Sequence, residues 1–192
     1  GFEDAAFPPT AWARVDRNGG TTWNKSTSQP RTGTGHARYS YSGSLPGDDW
    51  LIAPGVQLNA GQVIEVSYWY KAQAGYPEKL KLWVGTGGQL PDSLTTSLAD
   101  HSDITNSVYE NNSVFFTAPA AGVYYFGFQA YSVADQWHLD LDDITFSLPK
   151  EVDYVAVGFT QVMNLPSEKT TQLKLSKSNP EIKPSVVSIS VD

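Results

Sequence analysis

In the segment Val63 to Ala72, Ile64, Val66, Tyr68 and Tyr70 alternate with Glu65, Ser67 and Lys71. A period of two residues sends the two sets to opposite sides of an extended chain, so the segment reads as a half-buried strand. Leu80, Leu82 and Val84 alternate with Lys79, Lys81 and Trp83 in the same way. Further strand-like runs cover Ala37 to Tyr41, Trp50 to Ile52, Ser113 to Thr117, Val123 to Tyr131 and Trp137 to Phe146, each bounded by Gly, Pro, Asn or Ser. No segment sustains a helical period of comparable quality, and the best place for a short helix is Asp92 to Ala99. Strands with one apolar side bury it against a second sheet, which predicts an all-β, antiparallel sandwich.

Composition agrees with that class. Six Trp, 10 Tyr and 8 Phe supply core volume, only 17% of residues are charged, and 16 Gly with 12 Pro suit a chain rich in turns. A length of 192 residues allows one large β domain, or one domain and a fragment. Pro149-Lys150-Glu151 punctuates the chain, so the division expected is 1–148 as the main domain and 149–192 as a β-rich extension or the start of a following module. Strand-like pieces in the extension are Tyr154 to Thr160, Thr171 to Leu175 and Val186 to Val191. The net charge of -7 leaves no basic stripe for phosphates, which argues against a nucleic-acid partner. The absence of cysteine excludes disulfides, thiolate zinc sites and cysteine nucleophiles. No apolar run approaches the roughly 20 residues of a membrane helix, so no membrane insertion is expected. An opening of Gly-Phe-Glu without Met looks like a mature or trimmed chain.

The run Trp137 to Phe146 places Asp140, Asp142 and Asp143 in a strand, where aspartate is depleted. Leu139 and Leu141 share one parity and Ile144 and Phe146 the other, which suggests a bulge at Asp142-Asp143 or a strand covered on both sides. A structural calcium site and solvent-facing acids both account for these carboxylates. Asp16, Asn18 and Gly19 resemble half of a calcium loop, and also an ordinary turn. If the first and last strands lie side by side, Glu3 meets Asp142 or Asp143, and several hard oxygens then suit calcium. Asp48 and Asp49 form a second acidic pair, readable as a metal site or an exposed turn. Glu78 is expected to pair with a nearby Lys or Arg.

Carbohydrate binding would need aromatic faces for sugar C–H surfaces, with polar groups around them. Trp23, Tyr76, Trp83, Tyr131 and Trp137 are the candidates, each weighed against ordinary core packing. Enzyme signatures are poor: His36, His101 and His138 are isolated, and neither HExxH nor GxSxG occurs. No catalytic residue is assigned.

An ordered set of motifs resembles the cleaved-adhesin or choice-of-anchor J family of bacterial surface domains. It comprises Gly1-Phe2-Glu3, Phe7-Pro8-Pro9-Thr10-Ala11-Trp12, the turn ending at Trp23, Asp48-Asp49-Trp50-Leu51-Ile52-Ala53-Pro54, Val66-Ser67-Tyr68-Trp69-Tyr70, Pro77-Glu78-Lys79-Leu80, Ala121 to Phe128, and Leu141-Asp142-Asp143-Ile144. The chain is similar as well to MAM domains and sugar-binding jelly rolls. The resemblance implies a jelly-roll β-sandwich from a secreted or cell-surface bacterial protein, with the acids at its two ends, Glu3, Asp142 and Asp143, holding a structural cation. It departs from adhesin relatives at Arg17 and Gly20, where further acids often occur. The expectation is a non-catalytic, calcium-stabilised, monomeric module of a larger chain, binding a glycan or a host or matrix protein. A spacer domain and a glycoside hydrolase are the alternatives. Asp140 is expected to face solvent or ligand.

Overall fold

The computed structural model describes residues 1–149 and two short strands further on, Gln172–Lys174 and Val186–Ser188. Two compact units divide the chain, Gly1–Glu151 and Val152–Asp192. In the second, the described strands pair antiparallel, with Leu173 opposite Val187. They fall within two of the strand-like pieces read from the sequence, whereas Tyr154 to Thr160 lies outside the described residues.

The first unit is an all-β sandwich of two antiparallel sheets. In chain order its strands are β1 (Ala13–Asp16), β2 (Trp23–Ser26), β3 (His36–Ser40), β4 (Asp49–Ile52), β5 (Val56–Leu58), β6 (Val63–Ala72), β7 (Glu78–Gly85), β8 (Thr96–Ile104), β9 (Glu110–Thr117), β10 (Gly122–Ala130) and β11 (His138–Ser147). One sheet runs β1-β4-β10-β7-β8, with β5 also on β10, and the other runs β2-β3-β11-β6-β9. Chain neighbours alternate between sheets often enough to give the crossovers of a jelly roll. The alternating residues behave as the pattern predicts. Ile64, Val66 and Tyr68 meet Leu80, Leu82, Phe126 and Phe128 in one buried core. A smaller apolar cluster of Trp50, Ile52 and Leu94 lies on the outer side of the first sheet. There Gly127 leaves the space that Leu94 fills, since a Cβ at Gly127 would stand 2.3 Å from Leu94 Cδ1.

The parity change in β11 is a bulge. Pairing with β6 is regular through Asp142, shifts, and resumes at Thr145, with Asp143 at φ 46°. The extra residue returns Ile144 and Phe146 to the core that Leu139 and Leu141 already line. The short helix expected at Asp92 to Ala99 is replaced by a single 3₁₀ turn, Pro91–Ser93, followed by β8. Proline at the start permits one turn, and the Thr-Thr-Ser-Leu sequence that follows is drawn into pairing with β7.

Candidate functional site

Three surfaces carry the residues with chemical potential, and the bulged strand organises the first. Around Asp140, Arg38 of β3 grips both carboxylate oxygens at 2.7 and 3.0 Å, Lys71 of β6 lies at 3.7 Å, and the rings of His36 from β3 and His138 from β11 itself lie at 3.1 and 3.7 Å. Asp140 is fully buried, so the expectation that it faces solvent is corrected. Burial alone would push its carboxyl up, but the His36 and Arg38 hydrogen bonds outweigh that and hold it below the usual range. Tyr109 covers this group, its ring 4.6 Å from Lys71 Nζ. The segment 27–35 straps the same face: Gln29 and Ser28 carbonyls accept from Lys71 and Arg38, and Arg31 lies 3.6 Å over the Trp69 ring.

Beyond Asp140 on the same strand, Asp142 Oδ2 accepts the Arg31 and Thr32 amides at 2.9 and 3.4 Å. Asp143 takes the Arg31 guanidinium at 2.5 Å and the Thr32 hydroxyl at 2.7 Å. Glu3 Oε2 accepts the Thr34 amide and hydroxyl at 2.9 and 2.7 Å. These three carboxylates border one space. A Cβ placed on Gly1 would meet Glu3 Oε1 at 3.3 Å, Asp143 Oδ1 at 3.6 Å and Asp142 Oδ1 at 3.7 Å. They do not close on it as a finished ligand set, and no group of three acids or histidines does so among the described residues. Burial raises the Asp142 carboxyl, and the charge of Asp143 adds to that. Hard carboxylate oxygens are the donor type that calcium takes, and the Arg31 guanidinium already pairs with one of them, Asp143.

The other acids are dispersed. Asp16 Oδ1 accepts the Asn18 and Gly19 amides at 3.0 and 2.7 Å, and Asn18 Oδ1 accepts the Gly20 amide at 3.1 Å, so these oxygens shape a turn with Gly19 at φ 73°. Asp49 lies opposite Asp16 in the β1–β4 register and is fully buried, which removes the exposed-turn reading of it. Burial, with Asp16 and Asp48 nearby, pushes its carboxyl up to about 6. Glu78 does not pair with a cation as expected. It is buried against the Ser132 hydroxyl, and that burial pushes its carboxyl up to about 7.

Aromatic candidates separate just as sharply. Trp23 is inside the sandwich, its indole N–H donating to the Asp49 carbonyl at 3.0 Å, so its assignment as a surface stacking residue is corrected. Trp83 and Tyr131 are half-buried on the outer side of the first sheet. Trp83 Nε1 donates to Gln129 at 2.9 Å, and Tyr131 donates its hydroxyl to Asp100, with Lys81 Nζ 4.5 Å over the Tyr131 ring. Trp137 and Tyr76 come together at the surface. Trp137 is 46% exposed and Tyr76 39%, and their rings lie 5.4 Å apart. Tyr41 stacks behind Trp137 at 5.8 Å and 20°. Sequence reasoning missed Tyr41, although its place next to the β3 strand and the hairpin-like pairing of Tyr41 N with the Trp137 carbonyl supply the link.

A family model described as Cleaved Adhesin Domain matches residues 2–146. The chain belongs to the cleaved-adhesin family. Among curated proteins, none matches it. Its solved relatives in fold include the K1 cleaved adhesin domain of Lys-gingipain from Porphyromonas gingivalis W83, at 20% identity and TM-score 0.62 over 73% of this chain and 92% of that one. The CBM22-1 xylan-binding domain of Paenibacillus barcinonensis Xyn10C is similar at 15% identity and TM-score 0.55, over 77% of this chain and 90% of that one. A CBM4 structure is similar at 22% identity and TM-score 0.51, over 73% and 96%. Within a cleaved-adhesin domain the described side chains thus fall into an acidic clasp, an exposed aromatic platform and a half-buried outer face. No helix among the described residues is long and apolar enough to cross a membrane.

Proposed function

We propose that this cleaved-adhesin domain is a non-catalytic, calcium-stabilised module that binds a glycan through Trp137, Tyr76 and Tyr41, on behalf of a secreted or surface-exposed bacterial protein. The observation that carries the reading is Trp137, a large aromatic left 46% exposed yet fixed from behind by Tyr41 and flanked by Tyr76. A sugar ring stacks its C–H face on such a platform with little ordering cost, because the aromatic rings hold one another in place. Asp135 and Gln136 precede Trp137 in the same loop, and Asp135 N is held by the Ser42 carbonyl, so polar groups border the rings. The xylan-binding neighbour supports a sugar ligand by shape. Glu3, Asp142 and Asp143 would hold the calcium, which supplies charge compensation where the first residues, the 27–35 strap and β11 meet.

A glycan array tests the reading, followed by titration of the best hit against Trp137→Ala and Tyr76→Ala. Loss of one stacking aromatic is expected to weaken binding about tenfold, while Trp83→Ala on the outer face leaves it unchanged. Binding that survives Trp137→Ala, or an array with no hit, would overturn the assignment. Surviving binding would move the glycan to another surface, and an array with no hit would favour the spacer reading.

A further inference from the structure

Where β8 of the first sheet gives way to β9 of the second, a groove of about 450 Å³ opens, lined among others by Tyr70, His101, Asp103, Asn106 and Glu110. That volume is in the range of small-ligand sites, roughly 300–1,000 Å³. The register sets His101 opposite Leu80, so its ring points between the sheets, where it lies 4.4 Å from the Tyr70 ring. Asn112 Nδ2 donates to the Tyr68 hydroxyl at 2.8 Å, and that hydroxyl is 2.8 Å from His101 Nε2. With its oxygen already accepting from Asn112, the phenol has its O–H free to donate to Nε2, the pairing that a neutral imidazole with an unprotonated Nε2 takes. Burial works in the same direction, lowering the His101 pKa.

The groove therefore has a neutral aromatic wall, and two carboxylates, Asp103 and Glu110, on its rim. Glu110 is near enough to Tyr70 to contribute, after burial, to raising its phenol. Among the described residues no Lys or Arg lines the groove, and of the two lysines of β7, Lys81 is committed to Asp100 at 3.3 Å while Lys79 turns to the outer side, its Nζ 5.8 Å from the Tyr131 ring centroid. Asn106 secures the floor, its amide donating to the Tyr70 and Val108 carbonyls at 3.0 and 2.9 Å. An anionic ligand would meet only like charge here.

We propose that this groove receives a basic side chain, arginine in particular, presented by a protein partner. A guanidinium plane stacks on the Tyr70 and His101 rings and forks its N–H donors onto Asp103 or Glu110. The net charge of -7 would draw such a partner toward the domain. This site is separate from the Trp137 platform and stands or falls without it.

The test is an NMR titration of the full chain with N-acetyl-arginine methylamide, beside its neutral isostere N-acetyl-citrulline methylamide. Saturable shifts are expected at Tyr70, His101 and residues 102–106, with the citrulline probe about tenfold weaker. Asp103→Asn with Glu110→Gln, both at exposed positions, should weaken the arginine probe about tenfold without moving the thermal midpoint, and Trp137→Ala should bind it normally. Equal binding of citrulline, or no saturable shift at the groove, overturns the proposal. So does a neutral oligosaccharide that shifts the same resonances when arginine does not, which would give the groove to a glycan.

Discussion

Asp49 Oδ1 and Glu78 Oε1 are buried oxygens without a hydrogen-bond partner among the described residues, and the Tyr39 phenol, from β3 of the facing sheet, is raised by burial and then by the charges of both acids. A carboxyl held this way is stable as the acid and costly as the anion. With folded pKa values near 7 for Glu78 and 6 for Asp49, against ordinary values of 4.5 and 3.8, both favour the folded state fully at pH values below about 4. That contribution is lost as pH rises through 6 to 7. Unfolding free energy measured in urea should therefore fall between pH 5 and pH 8, and Glu78→Gln, which keeps a polar partner for Ser132, should flatten the fall. An unchanged slope in the variant would mean that Glu78 does not titrate in this range. At this scale the sequence was least legible. Glu78 follows Tyr76-Pro77 in a surface-like setting, and nothing local announces that Ser132, 54 residues away, draws it inside. Trp23 was misread for the same reason: beside a glycine-rich turn it looks exposed, yet β2 pairing with β3 turns its ring inward beside Tyr39.

Along β11, one element holds core, bulge and three acids in ten residues. The period-two pattern located the change of parity at Asp142-Asp143, because each one-residue slip exchanges the faces of a strand, but left a bulge and a strand covered on both sides equally open until the β6 register decided it. What rewards aspartate in the strand was not visible, since Arg38 and Lys71 come from β3 and β6, and the strap that covers them carries little pattern of its own. Asp140 accordingly serves as the shared anion of two cations that have little water around them. Asp140→Asn would leave the buried Lys71 and the half-buried Arg38 without their anion, and the expected cost is about 3–5 kcal/mol in urea unfolding. Arg38→Ala with Lys71→Met in the same background should recover part of that loss, because the stranded charges go with it. A loss in Asp140→Asn below about 1 kcal/mol would show that water reaches the cluster and screens it.

Across the whole molecule, the acids at Glu3 and Asp142-Asp143 lie some 140 positions apart in the chain and are joined through Arg31, Thr32 and Thr34 of the strap. The resemblance brought Glu3 toward Asp142-Asp143, but the first and last strands do not lie side by side as that reading supposed, since β1 and β11 belong to different sheets; the strap was passed over, as a Ser-Gln-Pro-Arg-Thr-Gly stretch reads only as loop. Gly33 is the residue that lets the strap pass. Its φ is 61°, and a Cβ there would stand 2.2 Å from Glu3 Oε1. A calcium ion bound in this space would tie three distant segments only in the folded chain, so binding adds to stability by mass action. At a hundred times its dissociation constant the gain is about 2.7 kcal/mol. For a unit of this size that corresponds to a rise of roughly 5–10 °C in the thermal midpoint. Thermal unfolding with excess calcium and with chelator should show this difference, and Glu3→Gln with Asp142→Asn should abolish it. Sodium chloride at matched ionic strength controls for screening of the -7 charge, which would raise the midpoint in the double variant as well. An identical midpoint with calcium and chelator, or a shift that persists in the double variant, would remove calcium from the clasp and leave Arg31 as its resident cation.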